Sequence, residues 1–251
     1  MNGNYGKINR HGGMALILLL LMTGCGKDDK ANQIINQSIE AHGGKRFEKL
    51  NVQFDFRGRH YTGRRNKSEF TYTREFSDSL GQVKDVLNNT GLTRYINGKE
   101  VNLPNERKNA FTNSVNSVLY FALLPYGLNS PAVNKRFVGE TILKGKAYFI
   151  IEITFDKEGG GEDYEDVFRY WINKENHRID FIGYTYQTDG GGIRFREAVN
   201  SRMVNGILFQ DYINYQPKNE VVRLEQLDTL FLNDELEILS EIKLENVSVE
   251  N

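Results

Sequence analysis

Apolar and polar positions change period several times along the chain, and each change marks an element. Ala31, Ile34, Ile35, Ile39 and His42 recur at helical spacing, and Gly43-Gly44 allow a stop at positive φ without steric cost, so an amphipathic helix ends there. From Val52 the period is two. Val52, Phe54 and Phe56 alternate with Gln53, Asp55 and Arg57; after a turn, Phe70, Tyr72 and Phe76 alternate with Glu69, Thr71 and Glu75, the pattern of half-buried strands. Residues 83–87 continue it, and 92–96 join 99–103 through Asn97-Gly98, a strong two-residue hairpin signal. Pro104 and Asn105 then interrupt the sheet. Phe111, Val115, Val118, Leu119 and Ala122 predict a helix packed across it, ending at Leu124-Pro125-Tyr126-Gly127 because proline disfavours helical geometry in the residue before it. Strands resume over 137–142, 147–155, 167–172, 177–186, 193–198 and 207–215, separated by turn chemistry at Lys144-Gly145, 173–176, 189–192 and Asn205-Gly206. Residues 236–249 add one or two edge strands.

This order predicts a mainly β protein with helices (α+β): a curved antiparallel sheet or unclosed β-barrel whose helices plug the concave face, with a closed barrel as the alternative. Composition agrees, with 24 Gly, 4 Pro, 15 Phe and 13 Tyr in 251 residues. No linker or repeat divides the chain, so one large domain is expected. The single Cys excludes an intramolecular disulfide, and a formal net charge of −1 argues against a nucleic-acid partner, which demands a strongly basic face.

The N-terminus is an address. Lys7, Arg10 and His11 precede the apolar run Met14 to Met22, which is too short to span a bilayer but suits an export signal. Met22-Thr23-Gly24-Cys25 resembles the lipobox of bacterial lipoproteins, with Met in place of the usual Leu at its first position. The resemblance implies that residues 1–24 are removed as a signal peptide and that Cys25 is acylated, anchoring the protein in the outer membrane through a tether over 25–30. Lys27, Asp28 and Asp29 resemble the surface-export signal of Bacteroidetes lipoproteins, although Asp29 in a short tether can equally cap the following helix.

Several segments, taken in order, are similar to LolA/LolB-type lipoprotein-sorting proteins. They are Ala41-His42-Gly43-Gly44 followed by Phe47 and Leu50, the hairpin Tyr95-Ile96-Asn97-Gly98, Gly139-Glu140-Thr141 leading to Gly145-Lys146-Ala147-Tyr148, and Tyr170-Trp171-Ile172-Asn173. The segment from Tyr120 to Leu128 more closely resembles an uncharacterised group of Bacteroidetes lipoproteins of that class. The resemblance implies a single LolA/LolB-like domain over 31–251, an unclosed barrel enclosing an apolar cavity, and binding of a lipid or another apolar ligand.

Little in the chain suggests catalysis. After removal of His11, the histidines His42, His60 and His177 lie on different elements with no metal-ligand spacing, and no nucleophile elbow or phosphate-cradling loop is present. No enzyme activity, cofactor or metal is expected. His42 is placed to bond the carbonyls that end its helix. The acidic residues Asp156, Glu158, Glu162, Asp163, Glu165 and Asp166 fit no calcium loop and read as a solvated hairpin tip. Arg57, Arg59, Arg64, Arg65 and Lys67 crowd one hairpin, either as edge charges or as a seat for an anionic headgroup. Phe54, Phe56, Phe70, Tyr72, Phe149, Ile151 and Phe155 fall on inward faces and line either a ligand cavity or a solid core. A second functional reading is a surface module that recognises glycan or protein through exposed aromatics such as Trp171 and Tyr184.

Overall fold

A computed structural model describes residues 1–3, 27–158, 164–187, 190–219 and 221–250; Cys25 and the middle of the acidic loop lie outside them. Helix α1 (Lys27–His42) opens the fold, so Lys27, Asp28 and Asp29 lie in its first turn and not in an extended tether. Six strands follow: β1 (Lys49–Phe56), β2 (Arg59–Asn66), β3 (Glu69–Asp78), β4 (Gly81–Asn88), β5 (Gly91–Ile96) and β6 (Lys99–Val101). Helix α2 (Asn105–Ala122) leads to β7 (Val133–Leu143), β8 (Lys146–Phe155), β9 (Val167–Asn173), β10 (Ile179–Tyr186), β11 (Gly192–Val204) and β12 (Ile207–Pro217). A short α3 (Leu227–Leu232), β13 (Leu236–Ile242) and β14 (Glu245–Glu250) complete it. Among the described residues no helix is long and apolar enough to cross a membrane.

The strands form two antiparallel seven-stranded sheets, ordered β14-β1-β2-β3-β4-β5-β6 and β13-β12-β11-β10-β9-β8-β7. They are not closed into a barrel. The consecutive strands β13 and β14 belong to different sheets, so the chain crosses from one to the other at residues 243 and 244. Helix α1 lies against β7 and β12, while α2 lies against β3, β4 and β5. Each helix shields the inner face of one sheet. Ala31, Ile34 and Ile35 of α1 join Ile151, Ile153, Phe168, Tyr170 and Ile182 in one buried cluster. Val115 and Leu119 of α2 join Leu50, Val52, Phe54, Tyr61 and Tyr72 in another.

A third buried cluster lies on the other face of the second sheet, where Leu227 of α3 packs with Trp171, Phe181 and Phe195. This explains why β9 is almost wholly buried: alternate side chains enter two different cores. Trp171, expected to be exposed, is 1% exposed, because Gly183 on β10 lets Leu227 approach closely. A Cβ on Gly183 would lie 2.7 Å from Leu227 Cδ1 and 3.1 Å from Trp171 Cζ3.

The hairpin turns are governed by local chemistry. Asn97-Gly98, Lys144-Gly145 and Asn205-Gly206 each hold two successive residues at positive φ, as the two-residue turn compatible with strand twist requires. Arg57-Gly58 forms the same turn and introduces β2, a strand that the hydrophobic pattern does not predict. The inward positions of β2 include Tyr61 and Gly63, and a Cβ on Gly63 would meet Leu119 Cδ1 and Val52 Cγ1 at 3.1 Å. The strand therefore lacks an apolar period because α2 needs that space.

Candidate functional site

Where the sheets diverge, a cleft of about 750 Å³ lies between the β1–β2 hairpin, one face of α2 and the strands β11 to β13. The hairpin supplies Phe56, Arg57, Arg59 and Tyr61; α2 supplies Ser114, Ser117, Val118, Phe121 and Ala122; the strands supply Arg196, Gln210, Tyr212, Asn214, Leu239, Ser240 and Ile242. The α2 residues recur three and four apart and so share one face of the helix, turned away from Val115 and Leu119 in the core. Leu244 closes the rim at the crossing between sheets. That crossing is pinned by Asp211, which accepts hydrogen bonds from the Leu244 backbone N–H (3.0 Å) and Arg202 Nη1 (3.0 Å).

The lining is mixed, about half apolar and half polar, with a positive bias: among the described residues it holds three arginines and no carboxylate. Arg57 and Arg59 are exposed at the mouth, over the rings of Phe56 and Phe76. Arg196 is only 9% exposed; its guanidinium sits 3.9 Å from the Phe121 ring centroid, and Nη2 donates to Tyr184 Oη at 2.7 Å. Burial raises the pKa of Tyr212 well above the ordinary phenol value, against the opposing charge of Arg196, so it remains a neutral hydroxyl. Behind Ser114 lies a buried ionic row in which Arg74 and Arg94 both grip Asp85, and Arg74 Nη1 donates to Ser114 Oγ at 2.6 Å. Two guanidiniums share one carboxylate there, which adds to the positive bias of this end of the fold.

The residues anticipated from sequence are distributed unevenly. Of the aromatic and aliphatic set, Phe56 lines the cleft. Phe54, stacked on Tyr61 at 5.5 Å, and the pair Phe70 and Tyr72 pack in or against the α2 cluster. Phe149, Ile151 and Phe155 belong to the α1 side. The basic residues separate along β2 as well as across its pleat, since Arg59 and Arg65 share a face six residues apart and Arg64 lies on the other. Arg57 and Arg59 reach the cleft, while Arg64 is exposed and Arg65 donates to Tyr72 Oη (2.5 Å) and lies over Tyr126. Tyr184 is bonded to Arg196, so it and Trp171 do not form a shared exposed platform. His42 Nδ1 donates to the Ser38 carbonyl at 2.8 Å, closing its helix as expected, and burial lowers its pKa. Among the described residues no group of three or more His, Cys, Asp or Glu is placed to hold a metal ion.

Sequence reasoning missed Arg196, Gln210, Tyr212, Asn214, Ser114, Ser117 and Phe121. The two serines interrupt the polar-to-apolar order of α2 and are the one local signal. Arg196 and Asn214 meet only because β11 and β12 place them directly opposite each other.

The molecule is therefore an α+β protein with two open sheets around helices and a cleft between them that is cationic and part apolar. The chain belongs to DUF6503, a family of unknown function, whose model matches residues 13–246. No curated protein matches it. Similar solved structures include a LolA superfamily protein from Nitrosomonas europaea, 10% identical, covering 88% of this chain and 91% of that one with a TM-score of 0.47. A putative outer membrane lipoprotein-sorting protein domain from Vibrio parahaemolyticus is 8% identical, with 89% and 94% covered and a TM-score of 0.49. A DUF1329 family protein from Desulfovibrio piger ATCC 29098 is 9% identical, with 88% and 93% covered and a TM-score of 0.50. At these identities the likeness is one of fold.

Proposed function

We propose that this protein is a lipoprotein anchored in the outer membrane through acylated Cys25, and that it holds a lipid or another apolar ligand without catalysing a reaction. The cleft carries the ligand reading. Its volume of about 750 Å³ is in the range of small-molecule sites, and its walls combine an apolar stretch at Val118, Phe121, Leu239 and Ile242 with polar groups from three arginines, Gln210 and Asn214. The anchor rests on Met22-Thr23-Gly24-Cys25. With α1 beginning at Lys27, acylated Cys25 would hold the folded domain within a few residues of the bilayer. Surface display through Lys27, Asp28 and Asp29, and kinship with a Bacteroidetes lipoprotein group through residues 120–128, belong to the same proposal.

Two measurements test it. The three buried clusters draw their members from residues 31–249, so the chain beginning at Lys27 contains the whole described core. Expressed without its anchor, that chain should retain extractable lipid in native mass spectrometry. An empty protein that also fails to bind a fluorescent fatty acid overturns the ligand reading. Separately, Cys25→Ala should move the full protein from the membrane fraction to the soluble periplasm, since several acyl chains make attachment durable and no described helix can replace them. Unchanged membrane retention places the anchor elsewhere.

A further inference from the structure

Arg196 lies in the cleft wall, and among the described residues it has no counter-ion. A guanidinium carries five N–H donors, yet among the described residues Arg196 makes one side-chain hydrogen bond, to the hydroxyl of Tyr184, and its buried Nε has no partner. The acids of its own and neighbouring strands are committed elsewhere. Asp180 on β10 accepts from Tyr148 and Asn173, Glu197 on β11 from Lys144 and Tyr215, and Asp211 on β12 from Arg202. The Phe121 face offsets part of the desolvation, but a buried charge ordinarily requires a paired and hydrogen-bonded partner. Directly across the ladder, Asn214 is 7% exposed and its buried Oδ1 is also without a partner. Its Nδ2 donates to Ser240 Oγ at 3.3 Å; a half-turn of the amide lets Ser240 donate instead and puts the NH₂ group in the buried, unpartnered position that Oδ1 now holds.

We propose that the cleft takes an acidic amphiphile whose anionic headgroup sits on Arg196 and Asn214 while its apolar chain lies along Val118, Phe121, Leu239 and Ile242. The proposal rests on the reading of the cleft as a ligand site and names the ligand's chemistry. The headgroup supplies the missing counter-ion, and the planar fork of Arg196 suits the paired oxygens of a carboxylate or a phosphate. Arg57 and Arg59, exposed at the mouth, steer an anion inward but remain hydrated, so they contribute to capture more than to discrimination.

The test compares three ligands with one straight twelve-carbon chain, dodecanoate, dodecyl phosphate and dodecanol, by displacement of an uncharged fluorescent probe from the chain beginning at Lys27. At least one anion should bind about tenfold or more tighter than the alcohol, the range of a charge-assisted hydrogen bond in a dry site. A lead for dodecanoate points to a fatty acid, and a lead for dodecyl phosphate to a phospholipid. Arg196→Gln should bring anion and alcohol to parity while leaving the alcohol's affinity within about twofold. The double variant Arg57→Gln/Arg59→Gln should weaken both anions at low salt and flatten their salt dependence, while the preference for anion over alcohol persists at high salt.

If Arg196 merely props Phe121 and Tyr184, Arg196→Gln shifts the melting temperature but leaves the preference intact, which overturns the proposal. Parity in the unmodified protein, or loss of preference in the mouth variant alone, overturns it as well while leaving the cleft a ligand site. If none of the three ligands binds, the ligand reading fails too. Should the glutamine variant not fold, Arg196→Lys keeps the charge without the fork, and the preference should fall several-fold; an unchanged preference counts against the proposal.

Discussion

Replacing Asp85 with Ala is expected to lower the free energy of unfolding by about 3–5 kcal/mol, the cost of removing one partner from a buried ionic group. The three side chains lie directly opposite one another on β3, β4 and β5, with Arg74 paired to Asp85 and Asp85 to Arg94. Arg74 reaches Asp85 Oδ2 through Nε and Nη2 at 2.9 and 2.6 Å; Arg94 reaches Oδ1 and Oδ2 through Nε and Nη2 at 2.6 and 2.9 Å. Asp85 is completely buried. Without it, two guanidiniums remain under α2, and among the described residues Ser114, the Phe111 ring 3.4 Å from Arg94 and the Phe76 ring 5.6 Å from Arg74 offset part of their desolvation. Urea denaturation at neutral pH measures the effect. A loss below about 1 kcal/mol would mean that the row is hydrated and contributes no more than an exposed pair. Replacing all three residues with apolar side chains of similar volume should cost far less than Asp85→Ala, because no unpaired charge then remains.

Phe54→Ala and Phe56→Ala should separate, although the two residues are neighbours on one strand face. Phe54 is fully buried and stacked on Tyr61, so its removal leaves a void inside close-packed material and should cost about 3–5 kcal/mol. Phe56 borders existing space and has fewer atoms to lose contact with, so its removal should cost less than half as much. The ligand effect should run the other way. Phe56→Ala should weaken displacement of a fluorescent fatty acid, whereas a Phe54→Ala protein that still folds should bind it nearly as well. Equal destabilisation by both, together with no probe binding by the unmodified chain, would show that the interior is a filled core.

Local rules made a large part of the fold legible. The turns at Asn97-Gly98, Lys144-Gly145 and Asn205-Gly206 follow from the positive φ that their residues tolerate, and the end of α1 follows from Gly43-Gly44 and the His42 side chain. Arg57-Gly58 adopts the same turn, but no apolar alternation follows it in the chain. Gly63 and the arginines of β2 mask the strand, which is held by ladders to β1 and β3 and shaped by contact with Leu119.

The basic cluster shows where this legibility stops. Five cations within eleven residues read as one patch, but strand geometry sends successive side chains to opposite faces, so Arg59 and Arg64 cannot share a site. Trp171 is covered by a helix that lies more than fifty residues later in the chain. Thus the sequence by itself determined the alternation of elements, the tight turns and the motif at Cys25, because each depends on a few adjacent residues. Tertiary structure alone decided the cleft. Its walls come from five separated segments, and Arg196 and Asn214 become neighbours through the register between two strands. Both residues are unremarkable where they stand in the chain; burial opposite each other, with the neighbouring acids paired elsewhere, sets them apart.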